Sequence, residues 1–166
     1  MKQITLVILT WVALVTMAQA DSSTIDGDWK LVWSCEGATG VYAERCKEGD
    51  RDYFELYLWS TGNRLCGVHA ATAQLGNKVD EDENTDIPWL TGSFKGNSAT
   101  VIFHSGEKAT GKATIKVIKN KLYWKVTKQE SDPNDQFSFS WIIPKEAILL
   151  RQADSESYHK PDKGCL

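Results

Sequence analysis

Short runs in which apolar and polar residues alternate recur along most of the chain, and they predict a sheet protein. Trp29, Leu31 and Trp33 share one side of the first run, with Lys30 and Val32 on the other. Phe54, Leu56 and Leu58 alternate with Tyr53, Glu55, Tyr57 and Trp59. Further on, Ala113, Ile115 and Val117 alternate with Lys112, Thr114 and Lys116, and Leu122, Trp124 and Val126 with Lys121, Tyr123, Lys125 and Thr127. Phe137, Phe139 and Trp141 are spaced by Ser138 and Ser140. A period of two marks antiparallel strands with one wet face. Turn dipeptides fall between the runs: Gly62-Asn63, Gly96-Asn97, Gly106-Glu107 and Lys119-Asn120. Asp132-Pro133-Asn134-Asp135 reads as a further turn or loop, and Pro144 ends or bends the strand over 137–143, because a central strand cannot spare its N–H. The expected fold is all-β: an antiparallel barrel of roughly eight to ten strands, with a sandwich as the alternative. Short helices are allowed near residues 70–74 and 145–149. Residues 76–86 are polar and acidic and lack periodicity, so a long surface loop is expected there.

The first twenty residues read differently. Met1-Lys2-Gln3, an apolar run over 4–17 and Ala18-Gln19-Ala20 make the three parts of a secretory signal peptide. The run is short for a bilayer span. Its removal leaves residues 21–166 as one domain, long enough for a real core, in the periplasm or outside the cell. That part carries 18 basic against 22 acidic side chains, a balance that disfavours nucleic acid and fits a basic protein partner in the cell envelope. It also holds all four cysteines. In an oxidising compartment an even count implies two disulfides, with three possible pairings. The favoured pairing joins Cys35 to Cys46 across a short loop and Cys66 to Cys165, tethering the polar C-terminal tail; chain entropy assigns these about 3 and about 5 kcal/mol.

Gly27-Asp28-Trp29 opens the first strand and Arg151 closes the last, in Ile148-Leu149-Leu150-Arg151. This pairing resembles the calycin group, the lipocalins and their relatives. The resemblance implies a closed barrel in which the indole plugs one end and a basic residue packs over it, a cation–π contact. Lipocalins commonly tie a mid-barrel strand to the tail, which matches Cys66 with Cys165. In outline the chain is also similar to small bacterial lysozyme inhibitors: a signal peptide, a compact disulfide-bearing barrel, and exposed acidic or aromatic loops.

Catalytic patterns are sparse. There is no G-x-S-x-G elbow and no H-E-x-x-H helix. Ser105-Gly106-Glu107-Lys108 matches S-x-x-K in form, but its S-D-N and K-T-G partners are missing. His69 could move protons if the disulfides bring Glu44 near it; the alternative is a buried histidine satisfied by a backbone carbonyl. His104 is expected to be exposed on a strand, and His159 lies in the tail. Asp80, Asp82, Asn84 and Asp86 are spaced like the first EF-hand ligands, but Thr85 replaces the glycine and Thr91 the bidentate glutamate. No enzyme activity, cofactor or metal is therefore expected.

The expected partner-binding residues are Asp80, Glu81, Asp82, Glu83 and Asp86 in the acidic loop, Trp89 at its base, and Tyr53, Tyr57 and Trp59 on one strand face. Trp29, Trp33, Trp124 and Trp141 are assigned to the core. The functional expectation is an exported, non-catalytic binding protein, an inhibitor or immunity factor docking on a basic envelope enzyme or toxin. The alternatives are a lipocalin-like carrier, with a cavity lined by Leu31, Phe54, Leu56 and Ile115, and a secreted hydrolase using His69 and Glu44.

Overall fold

The computed structural model describes residues 25–81, 88–105, 110–130, 142–153 and 165. Within them the alternating runs become strands β1 (Gly27–Val32), β2 (Tyr53–Thr61), β3 (Arg64–Ala73), β4 (Lys78–Glu81), β5 (Leu90–Lys95), β6 (Ser98–His104), β7 (Thr110–Ile118), β8 (Lys121–Glu130) and β9 (Glu146–Arg151), with one helix, α1 (Gly40–Glu48). All described pairings are antiparallel. Around the ring the order is β1, β2, β3, β5, β6, β7, β8, β9 and back to β1, so eight strands close an up-and-down barrel. Closure pairs both edges of the ring, while β4 pairs with β3 alone among the described residues. The turns expected at Gly62-Asn63, Gly96-Asn97 and Lys119-Asn120 join β2 to β3, β5 to β6 and β7 to β8. Gly106-Glu107 and the runs over 131–141, with Trp141, lie outside the described residues.

Period two sets the inside and the outside. Phe54, Leu56, Leu65, Leu90, Val101, Phe103, Ile115, Leu122 and Leu149 are fully buried and meet in one core with Trp29 and Trp124. Phe54 and Phe103 flank Trp124, with ring centroids 5.4 and 5.2 Å away. Both buried indoles find carbonyls: Trp29 Nε1 donates to Ile25 O and Trp124 Nε1 to Pro144 O, each at 2.9 Å. Large rings thus occupy the lumen.

One barrel end is closed as the Gly27-x-Trp29 pattern implies. Trp29 is fully buried, and the Arg151 guanidinium lies 4.3 Å from its ring centroid. Arg151 also donates to Asp26 O. Gly27 sits at φ +123°, and a Cβ there would come within 2.6 Å of Arg151 Nη1. Glycine is therefore required both by the backbone and by the approach of the arginine.

Toward the opposite end α1 is tethered beside the start of β2 and the β3–β4 turn. Neither expected helix position is helical: residues 70–73 belong to β3, and Glu146–Arg151 is β9. The helix follows Cys35 and carries Cys46 instead, and stops at Gly49, whose φ of +107° lets its N–H reach back to the last carbonyls. Only Cys46 of the helix is buried, so tethers hold it in place. These are the Cys35–Cys46 disulfide, Arg45 donating to Leu75 O at 2.9 Å, and Tyr42 donating to buried Asp52. Asp52 also accepts from Thr72 Oγ1 and Gly76 N, which ties the helix to the β3–β4 turn. The second disulfide joins Cys66 to Cys165, so both bridges follow the favoured pairing. Two disulfides point to an oxidising compartment. No helix among the described residues is long and apolar enough to cross a membrane.

Candidate functional site

The outer faces of β1 to β4 bring acids and phenols together. Across the ladder Lys30 stands opposite Glu55, Glu55 opposite Ala70, and Ala70 opposite Glu81. The neighbouring outward positions hold Tyr53 on one side of this row, and Asp28 and Tyr57 on the other. Ala70, being small, leaves a notch between the two glutamates. Tyr57 donates its hydroxyl to Glu55 Oε2 at 2.6 Å, and Lys30 forms an ion pair with the other oxygen of Glu55. The Lys30 ammonium also sits 4.9 Å from the Tyr53 ring centroid.

Ionisation on this face reports crowded negative charge. Burial, then the nearby Glu55, push the Asp28 carboxyl above its usual range, against the pull of Arg151. The Tyr57 phenol is pushed well up by burial, by its bond to Glu55 and by the Glu55 and Asp28 charges. Tyr53 is raised by burial and by Glu55 and Glu81, with Lys30 opposing. Three groups that resist becoming anions surround two carboxylates that one lysine neutralises only in part. A cation arriving from outside would relieve that repulsion.

Of the residues expected to bind a partner, Tyr53, Tyr57 and Glu81 share this face. Asp82, Glu83 and Asp86 lie outside the described residues; the chain leaves the wall at Glu81 and is described again from Pro88. The other three stand apart from it. Asp80 is not on a surface loop: Lys78–Glu81 forms a strand on β3, and Asp80 stands opposite inward-facing Ala71, only 3% exposed. Trp59 is buried with Val68 and the Cys66–Cys165 bridge rather than exposed. Trp89, half-buried where the chain is described again after the acidic segment, has its ring centroid 5.9 Å from that of His69. Trp33, assigned to the core, falls just beyond β1 and is exposed.

Asp80 belongs to a second, interior group. Its Oδ2 accepts the Ser105 hydroxyl at 2.6 Å, and its Oδ1 lies 3.4 Å from His69 Nε2. His69 is buried, and neither ring nitrogen makes a hydrogen bond. Its carboxylate neighbour is thus Asp80, while Glu44 sits exposed on α1. A serine relay needs imidazole between hydroxyl and carboxylate. Here the carboxylate lies between the other two, and the Ser105 hydroxyl donates its hydrogen bond to Asp80. The inward turn of Asp80 likewise removes the first position of the EF-hand-like spacing. No group of three potential metal ligands gathers among the described residues.

β4 and β5 occupy successive stretches of the same edge of β3, Glu81 facing Ala70 and Leu90 facing Gly67. The acidic segment therefore interrupts one barrel strand, a position its composition alone did not reveal. Asp28 and Glu55 were legible as outward positions beside Tyr57 once the strand register was read, yet charge alone did not single them out. Comparison with protein-family models, with curated proteins and with solved structures returned no match.

Proposed function

We propose that this is an exported, non-catalytic binding protein that docks on a basic protein of the cell envelope, as an inhibitor or immunity factor does. The observation that carries the reading is the outer face of β1–β4, where Asp28, Glu55 and Glu81 surround Tyr53 and Tyr57. Aromatic anchors rimmed by carboxylates on a rigid wall suit a partner that presents lysine or arginine. Two cross-links and a ring-filled lumen make that wall a preorganised surface, so little ordering cost opposes binding. The burial of Phe54, Leu56 and Ile115 in one core with Trp29 and Trp124 weighs against a carrier, which would need those residues to line a cavity. The calycin-like seal of Trp29 and Arg151, and the outline shared with small lysozyme inhibitors, support the same reading.

The test is association with a cationic muramidase, followed by surface-based kinetics at low and at physiological salt. A complex should form, weaken as salt rises, and inhibit the enzyme. A variant carrying Glu55→Gln and Glu81→Gln should associate roughly tenfold more slowly or worse, with its fold unchanged. Equal association by the variant, or no salt dependence, would overturn the reading.

A further inference from the structure

Charge is sharply divided along the chain. Residues 21–87 carry 14 acidic and six basic side chains, whereas residues 88–129 carry eight lysines and a single acid, Glu107. The barrel sorts the second group onto one outer wall. On β7 and β8, Lys112, Lys116, Lys121, Lys125 and Lys128 are exposed, and Lys119 stands in the turn between them. Lys125 pairs with Glu146 and Lys128 with Glu130. Lys112, Lys116, Lys119 and Lys121 make no ion pair among the described residues.

Between the ammonium groups stand apolar side chains. Ile102 lies opposite Lys112, Tyr123 opposite both Lys116 and Ile148, and Leu150 opposite Lys121. Ile102, Ile118, Tyr123, Ile148 and Leu150 are 37–50% exposed, and none of the described elements covers them. Lysines interleaved with branched apolar residues and a tyrosine form an amphipathic surface on a sheet wall. An anionic bilayer surface satisfies both components, phosphates taking the ammonium groups and the boundary region the apolar ends. A soluble polyanion would answer only the charge.

We infer that the β6–β9 outer wall docks on an anionic phospholipid surface, leaving the acidic β1–β4 face on the other side of the ring free for a partner. The docking is peripheral: no strand enters the bilayer, and the lysines hold the barrel side-on. The site is distinct from the acidic face, so each can fail without the other.

Co-sedimentation with phosphatidylglycerol-containing vesicles and with pure phosphatidylcholine vesicles tests this. The protein should partition to the first and not the second, and salt should release it. The triple variant Lys112→Gln, Lys116→Gln, Lys121→Gln should lose roughly a hundredfold in partition, about fivefold per lysine removed from the surface. Ile148→Ser with Leu150→Ser should weaken retention while leaving the salt dependence in place. Glu81→Gln should change nothing. The apolar leader is common to all variants, so the differences between them carry the reading. Equal retention on both vesicles, undiminished retention of the lysine variant, or low-salt self-association in place of vesicle binding would overturn it.

Discussion

Gly111 offers the sharpest test of how tightly the lumen is filled. It faces inward on β7, directly opposite Phe103 on β6. A Cβ added there would lie 2.3 Å from Phe103 Cζ and 2.5 Å from Cε1, whereas carbon atoms rest at about 3.5–4.0 Å. The ring would have to retreat by more than about 1 Å. Trp124 stands in the way, its centroid 5.2 Å from that of Phe103, and Phe54 packs on the far side of Trp124. Gly111→Ala should therefore cost about 1–3 kcal/mol by overpacking, although alanine is ordinarily tolerated better than glycine in a strand. Urea unfolding followed by tryptophan fluorescence would read the loss as a lower midpoint with an unchanged slope. Phe103→Leu alone should also destabilise, by lost burial. In the double variant the leucine vacates the space the methyl needs, so the combined loss should fall short of the sum by about 1 kcal/mol or more. An unaltered midpoint for Gly111→Ala, or strict additivity in the pair, would refute the claim that the lumen has no slack here.

Three further outcomes are expected. Replacing Cys66 and Cys165 by alanine should destabilise more than replacing Cys35 and Cys46, by about 5 against about 3 kcal/mol, because the first pair closes a separation of 99 residues and the second one of 11; equal losses in denaturant titration would contradict this. Tyr57 is raised in the folded chain, so the folded state holds its proton more tightly than the unfolded one. Its contribution is intact below about pH 10 and declines at higher pH, and Tyr57→Phe should flatten that alkaline decline in stability measured from pH 9 to 11. Asp28 is also raised, so stability falls as pH climbs past the ordinary aspartate range. Asp28→Asn should accordingly gain stability at neutral pH and lose that advantage in acid, provided the new amide keeps the local packing; a loss at pH 7 in thermal melts would count against it.

Much of the barrel could be read from period two, since inward Phe54, Leu56 and Leu58, or Ala113, Ile115 and Val117, leave little choice of face. The end seal was legible in Gly27, Trp29 and Arg151 through their likeness to the calycin pattern, and the structure places the guanidinium over the indole and against the Gly27 backbone. Helix α1 was not. Val41 and Tyr42 are exposed, so no apolar stripe announces it, and a disulfide and two polar tethers substitute for a buried face. Asp80 misled for a related reason: an acid inside a polar run looks solvated, and only its pairing with Ala71 turns it toward His69 and Ser105. The lysine wall was in plain view, but net charge sums opposite halves to a small number. A charge count over successive windows would have found it.

With β3 and β5 counted as neighbours across the short β4, every wall contact but one joins strands that follow each other in the chain. The exception is the seam between β1 and β9, where Trp29 meets Arg151, Lys30 meets Leu150, and Gln152 N donates to Asp28 O at 2.9 Å. Hairpins from β5 through β8 can zip locally, whereas this stitch waits until the last strand is available. Until then the nascent sheet has two raw margins, each able to recruit the matching margin of a sibling chain. Strand-exchanged dimers are thus the characteristic error of this architecture, and they should accumulate when the final strand is clipped or delayed.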